Sequence, residues 1–278
     1  MNRKDDFYIG WQDKAPESHS TKTKHFVWLL FVIVPLVAAI LVLSQKGFTA
    51  AVFEYGVLTE MEGVLIKEPV PMLKVLEKSP SGGQQVKSIV LVGFGKLGAE
   101  ATIAGIEEEE QKNLTNQTVK LRGTRIFYDN KTLLELSEGP ASFAGFGAEN
   151  KPAYRPVKKT LGDIKLRGEI YDPKCAFGVM KPGYGKPHRS CAIRCISGGV
   201  PSVLRVEEET GETNYFLLLD KEGKPLRDAV LEYVADQVQI CGKAERQDDW
   251  LVLYLDPQKD ILRLQPHWME GQISMCGQ

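Results

Sequence analysis

Eighteen consecutive residues from Phe26 to Leu43, FVWLLFVIVPLVAAILVL, carry no charge, and this run restricts the chain more than any other feature. At about 1.5 Å per residue, a helix of that length crosses most of a hydrocarbon core roughly 30 Å thick. The reading is a single membrane-spanning helix over 26–43, with the lipid bilayer as its partner. Pro35 is compatible with it, because neighbouring groups in a membrane satisfy the carbonyl that a proline frees. The alternative is a cleaved signal peptide, but the run is longer than an ordinary signal core and begins only after a largely polar tail. Arg3, Lys4, Lys14, Lys22 and Lys24 precede the run and only Lys46 closely follows it. The positive-inside rule therefore puts the tail, 1–25, in the cytoplasm and the remainder outside. In a Gram-negative cell the C-terminal region is then periplasmic, anchored in the inner membrane.

Beyond the anchor the pattern is mainly β. Short apolar runs such as Val64–Ile66, Ser88–Val92, Val119–Leu121, Leu133–Leu136, Tyr215–Leu219 and Leu251–Leu255 alternate with turn residues. The acidic run Glu107–Glu110 reads as a solvated loop. With 35 Lys plus Arg against 36 Asp plus Glu, no overall field favours nucleic acid, and none is expected as a partner. A weak internal repeat aligns VKLRGTRIFYDNKTLLEL, from Val119, with VQICGKAERQDDWLVLYL, from Val238. Val119 falls on Val238, Gly123 on Gly242, and the Asp129-Asn130 turn on Asp248-Asp249. Each copy reads as a hairpin with a glycine at a bulge or bend. A glycine-marked strand precedes each copy, at Gly63 and Gly168. Two small OB-like β-barrels are predicted, over 50–140 and 160–265, joined by a Gly/Pro-rich linker, 141–159, that suggests freedom between them. A β-sandwich is the alternative.

The marker glycines are 60 residues apart in the first unit and 74 in the second, and the extra length falls in a cysteine segment. There Cys175, His188, Cys191 and Cys195 are spaced Cys-x12-His-x2-Cys-x3-Cys. If residues 190–196 form a short helix, His188, Cys191 and Cys195 share one face. The turn-rich loop from Gly178 to Pro187 can return Cys175 to them. Three thiolates and an imidazole suit Zn(II) or Cu(I), with Met180 a further soft donor for copper. Two other readings stand beside the metal site. One is a structural disulfide among Cys175, Cys191 and Cys195; the other is a reactive thiol pair, Cys191 and Cys195, in a thiol-disulfide oxidoreductase. Cys241 reads as a core thiol or a partner of one cluster cysteine, and Cys276 as free or intermolecular. Lys181, Lys186, Arg189 and Arg194 lend the segment positive charge. The sequence Gly93-Phe-Gly-Lys-Leu-Gly98 is only loosely a dinucleotide loop, since no convincing helix follows it.

The segments GEIYDPKC and HRSCAIRCISGGVP resemble a group of bacterial exported or membrane-anchored OB-like proteins with the motif G-x-[IV]-x-D-x-K-C followed by H-x-x-C-A-x-x-C-x-x-G-G-x-P. The match covers residues 168–245, and it implies an OB-like barrel without carrying over an activity. The layout of one span and an external barrel is also similar to the haem chaperone of cytochrome c maturation, although that family's haem-binding histidine motif has no counterpart here. The expected function is an anchored extracytoplasmic accessory or interaction protein, non-enzymatic, in a redox or metal-handling system with a membrane or periplasmic protein partner. A plain scaffold subunit with a structural disulfide is the remaining alternative.

Overall fold

The computed structural model describes residues 17–45, 51–78, 84–148, 154–208 and 210–264. Arg3, Lys4, Lys14, Lys46 and Cys276, which entered the reading above, lie outside them. The chain divides into two units, Met1–Thr49 and Ala50–Gln278. The first holds helix α1, Glu17–Gln45, which runs through Pro35. Its segment His19–Ser44 is long and apolar enough to cross a membrane, with its side chains unburied.

The second unit is mainly β and contains two closed five-stranded barrels. The first is built from β1 (Val52–Phe53), β2 (Thr59–Ile66), β3 (Met72–Lys78), β4 (Gln84–Gly93), α2 (Glu100–Glu110), β5 (Thr118–Tyr128), β6 (Lys131–Leu136) and β7 (Phe143–Phe146). The second is built from β8 (Lys158–Tyr171), α3 (Arg189–Ser197), β9 (Val203–Glu207), β10 (Thr213–Leu219), β11 (Gln237–Gln247), β12 (Trp250–Tyr254) and β13 (Ile261–Arg263). Strand order β5-β2-β3-β4-β6 in one barrel matches β11-β8-β9-β10-β12 in the other, and each closes through its last hairpin. Strands β4 and β6 pair in parallel, as do β10 and β12, which is OB topology. The repeat read from the sequence is also a repeat of register: Gly63 opposes Val119, and Gly168 opposes Val238. At Gly123 and Gly242 a Cβ would collide with the carbonyl of Glu135 or Tyr254 on the next strand. These glycines therefore permit a close strand crossing, while the register shifts lie nearby, at Lys120/Leu121 and Ala244/Glu245.

Three expectations change. The run Glu107–Glu110 is the last turn of α2, because Ile103 and Ile106 bury one face and Glu107 finds Lys67 Nζ at 2.9 Å and the Leu114 amide at 2.7 Å. The stretch 141–159 contains β7, paired with β5, and the start of β8. Freedom between the barrels gives way to a shared core, in which Met72, Val90, Val92 and Leu133 of one pack with Tyr171, Phe177, Tyr215, Leu217, Trp250 and Val252 of the other. On β4 and β6 the alternate residues Ile89, Leu91, Leu134 and Leu136 fill the first barrel instead, so both strand faces are dry.

The hairpin tips lock this interface reciprocally. Lys74 Nζ reaches Asp248 Oδ2 at 2.9 Å, the Ser88 amide donates to Asp249 Oδ1 at 3.0 Å, and Trp250 Nε1 donates to the Ser88 carbonyl at 3.1 Å. In the other direction, Lys131 at the first barrel's hairpin donates to the Asp249 carbonyl and lies over the Trp250 ring. Asp129 and Asp248 are the equivalent turn residues of the repeat. Trp250→Phe replaces the fully buried indole by a smaller ring, loses the bond to Ser88 and weakens the cation–π contact of Lys131, whose Nζ lies 4.9 Å from the ring centroid. A loss of about 1–2 kcal/mol is expected from the urea midpoint of the full-length protein in detergent; no shift would contradict this account of the interface.

Candidate metal centre

The site is built in the loop that joins the first two strands of the second barrel, between Tyr171 and Val203. Strand β8 delivers Asp172 directly to it. Asp172 Oδ1 accepts the Cys175 amide at 2.8 Å, and Oδ2 lies 3.0 Å from His188 Nε2, with both side chains buried. The chain then makes a wide π-helical turn, Cys175–Val179, and a short 3-10 turn, Lys186–His188, that leads into α3. Helix α3 lies between two apolar layers. Ala192 and Ile196 face the second barrel's core, whereas Cys191 and Cys195 face the core shared by both barrels. The predicted helix and the return of Cys175 are therefore both present.

Donor atoms of Cys175, His188 and Cys191 lie within 4.8 Å of one another, and so do those of Asp172, Cys175 and Cys195. The four residues read from the sequence are thus gathered around Cys175, which belongs to both sets, and Asp172 joins them as a fifth. Cys175, Cys191 and Cys195 are free thiols, with Cys175 Sγ and Cys191 Sγ 3.9 Å apart. Two thiolates on a tetrahedral zinc, each about 2.3 Å from it, stand roughly 3.8 Å apart, whereas bonded sulfurs are about 2.05 Å apart. The separation is that of a thiol hydrogen bond and equally of two sulfurs sharing one ion, and the three cysteines are unbridged in this structure. Cys191 and Cys195 stand one turn apart on α3. Helical residues four apart carry Cβ atoms about 5–6 Å apart, beyond the roughly 3.5–4.5 Å a disulfide requires.

The charge that touches the cluster comes from the other barrel. Lys96, exposed in the loop after β4, donates to Cys191 Sγ at 2.7 Å, and that bond raises its pKa. A hydrogen bond to Cys195, then burial, holds the Cys175 thiol far above its usual pKa, and the same bond lowers that of Cys195. Lys181 and Arg194 are exposed, while Lys186 and Arg189 are drawn to Asp236. Met180 is 44 % exposed and stands outside the buried donors.

The segment Gly93-Phe-Gly-Lys-Leu-Gly98 does lead from a strand into a helix, α2, contrary to expectation, but it serves the cluster. A Cβ on Gly98 would collide with Gly199, and one on Gly198 with the Lys96 carbonyl, so only glycines let the two loops meet, sealed by the Gly98 amide to the Gly198 carbonyl at 2.9 Å. Lys174 is buried beneath this contact, bonded to the carbonyls of Gly93 and Gly95 at 2.7 and 2.6 Å and to Glu135 Oε1 at 2.6 Å. Sequence reasoning assigned no role to Asp172, Lys174 or the Gly198-Gly199 pair, although all lie inside the quoted motif; Lys96 carried no signal of proximity. Cys241 is disulfide-bonded, and because the cluster cysteines are free its partner is not one of them.

Fold and site together define a double OB-like barrel unit, behind an apolar N-terminal helix, with a buried Cys/His cluster that could hold a metal ion. Neither a protein-family model nor a curated protein matches this sequence.

Proposed function

We propose that this chain is a membrane-anchored, extracytoplasmic accessory protein that holds Zn(II) or Cu(I) at Cys175, His188, Cys191 and Cys195. The observation that carries the reading is the 3.9 Å spacing of the free Cys175 and Cys191 sulfurs beside a buried histidine. Soft sulfur donors with one imidazole select such ions, and a carboxylate on the other ring nitrogen is the usual way to fix a ligating histidine. Asp172 fills that orienting role. Two further observations support the rest of the reading: α1 is apolar enough to serve as the anchor, and a disulfide at Cys241 fits an oxidising compartment. Exposed Phe94 and Leu97 flank Lys96, next to Cys191, where a membrane or periplasmic protein partner would approach the site.

Asp172→Asn leaves a neutral partner for His188 and tests the reading. Zinc and copper affinity, measured by competition with a chromophoric chelator on the full-length protein in detergent, should fall about 10–100-fold. Unchanged affinity would remove Asp172 from the site, and absence of metal binding in the parent protein would overturn the reading itself.

A further inference from the structure

We propose that Cys175 and Cys191 form a redox couple that releases the bound ion, an inference that rests on the metal reading above. The three thiols differ in access. Cys195 is 1 % exposed and Cys175 4 %, whereas Cys191 is partly open to solvent and is met there by the Lys96 ammonium. Cys191 is therefore the sulfur that an external disulfide can reach, and Lys96 stands where negative charge develops on the leaving thiolate. A resolving sulfur stands 3.9 Å away at Cys175, on a different element and so free of the spacing that helical residues four apart impose on Cys191 and Cys195.

The exchange proceeds in two displacements. Cys191 Sγ attacks one sulfur of a small-molecule or protein disulfide, whose S–S bond breaks and whose other sulfur leaves as a thiolate. Cys175 Sγ then attacks Cys191 Sγ in the mixed disulfide, forming the Cys175–Cys191 bond and expelling the second thiolate. The two cysteines lose two electrons, the oxidant is reduced to two thiols, and any protons the cysteines carried end on those thiols. The ion loses two thiolate donors, including the one common to both donor sets, and dissociates. A dithiol reductant reverses the change.

The test treats zinc-loaded full-length protein in detergent with oxidised glutathione, following zinc with a chromophoric chelator and cysteine connectivity by peptide mass mapping. The expected result is zinc release in step with a Cys175–Cys191 disulfide, with Cys195 remaining a thiol. In Cys175→Ser the reaction should stop as a glutathione adduct on Cys191. Zinc that binds but is not released, or a disulfide that includes Cys195, overturns the redox proposal and leaves the metal site standing. Failure of the reduced protein to bind zinc at the outset overturns the metal reading, whatever the thiols do afterwards.

Discussion

Lys174→Ala is expected to lower the stability of the barrel unit by about 3–5 kcal/mol, the usual cost of removing one partner from a buried ion pair. The ammonium is 2 % exposed and Glu135 7 %, and the same ammonium satisfies the Gly93 and Gly95 carbonyls. Alanine would leave a buried carboxylate uncompensated and two carbonyls without their donor. Because Lys174 belongs to the cysteine insertion while Glu135, Gly93 and Gly95 belong to the first barrel, the loss would also loosen the loop that presents Lys96 to Cys191. The double variant Lys174→Met with Glu135→Leu should recover part of the stability, since it removes the uncompensated charge while the Gly93 and Gly95 carbonyls stay without their donor. Urea unfolding of the full-length protein in detergent checks both outcomes. A change below about 1 kcal/mol for Lys174→Ala would show that water relieves Glu135 and that the pair is not a strut.

Cys175→Ser should weaken zinc or copper binding by about 100-fold or more, past the range seen when only an orienting partner is lost. Cys175 is the donor common to both sets, and a hydroxyl is a poor ligand for a soft ion. The substitution is nearly isosteric and the Cys175 amide keeps its bond to Asp172, so the unfolding midpoint should move little. Competition titration with a chelator reads the first effect and urea unfolding the second. Equal losses of affinity and stability would mean that the thiol acts mainly in packing.

Much of this architecture was legible in the residues. The uncharged run 26–43 forms the core of α1, and the Val119/Val238 alignment returned as identical strand pairing because glycine-marked crossings recur at the same barrel corners. The helix supposed over 190–196, on which His188, Cys191 and Cys195 would share a face, is present as α3. What escaped depends on contacts across long sequence separations. A continuous apolar stretch such as Ile89-Val90-Leu91-Val92 shows that both faces of a strand are buried, but not that the second face meets another barrel. Nothing in the sequence linked Lys96 to the cluster, because the cysteine it touches is 95 positions away. Helix α2 was hidden by the glutamate run at its end, where the pairing of Glu107 with Lys67 and a loop amide is a tertiary fact.

The central claim is tested most directly by the metal content of the full-length protein, extracted from membranes in detergent without chelator under reducing conditions, together with the number of alkylatable thiols before and after denaturation. The account predicts close to one equivalent of zinc or copper, with Cys175, Cys191 and Cys195 protected until the metal is stripped. Protein that carries no metal, takes up none when zinc or copper is added, and alkylates at Cys191 with or without those ions would contradict it.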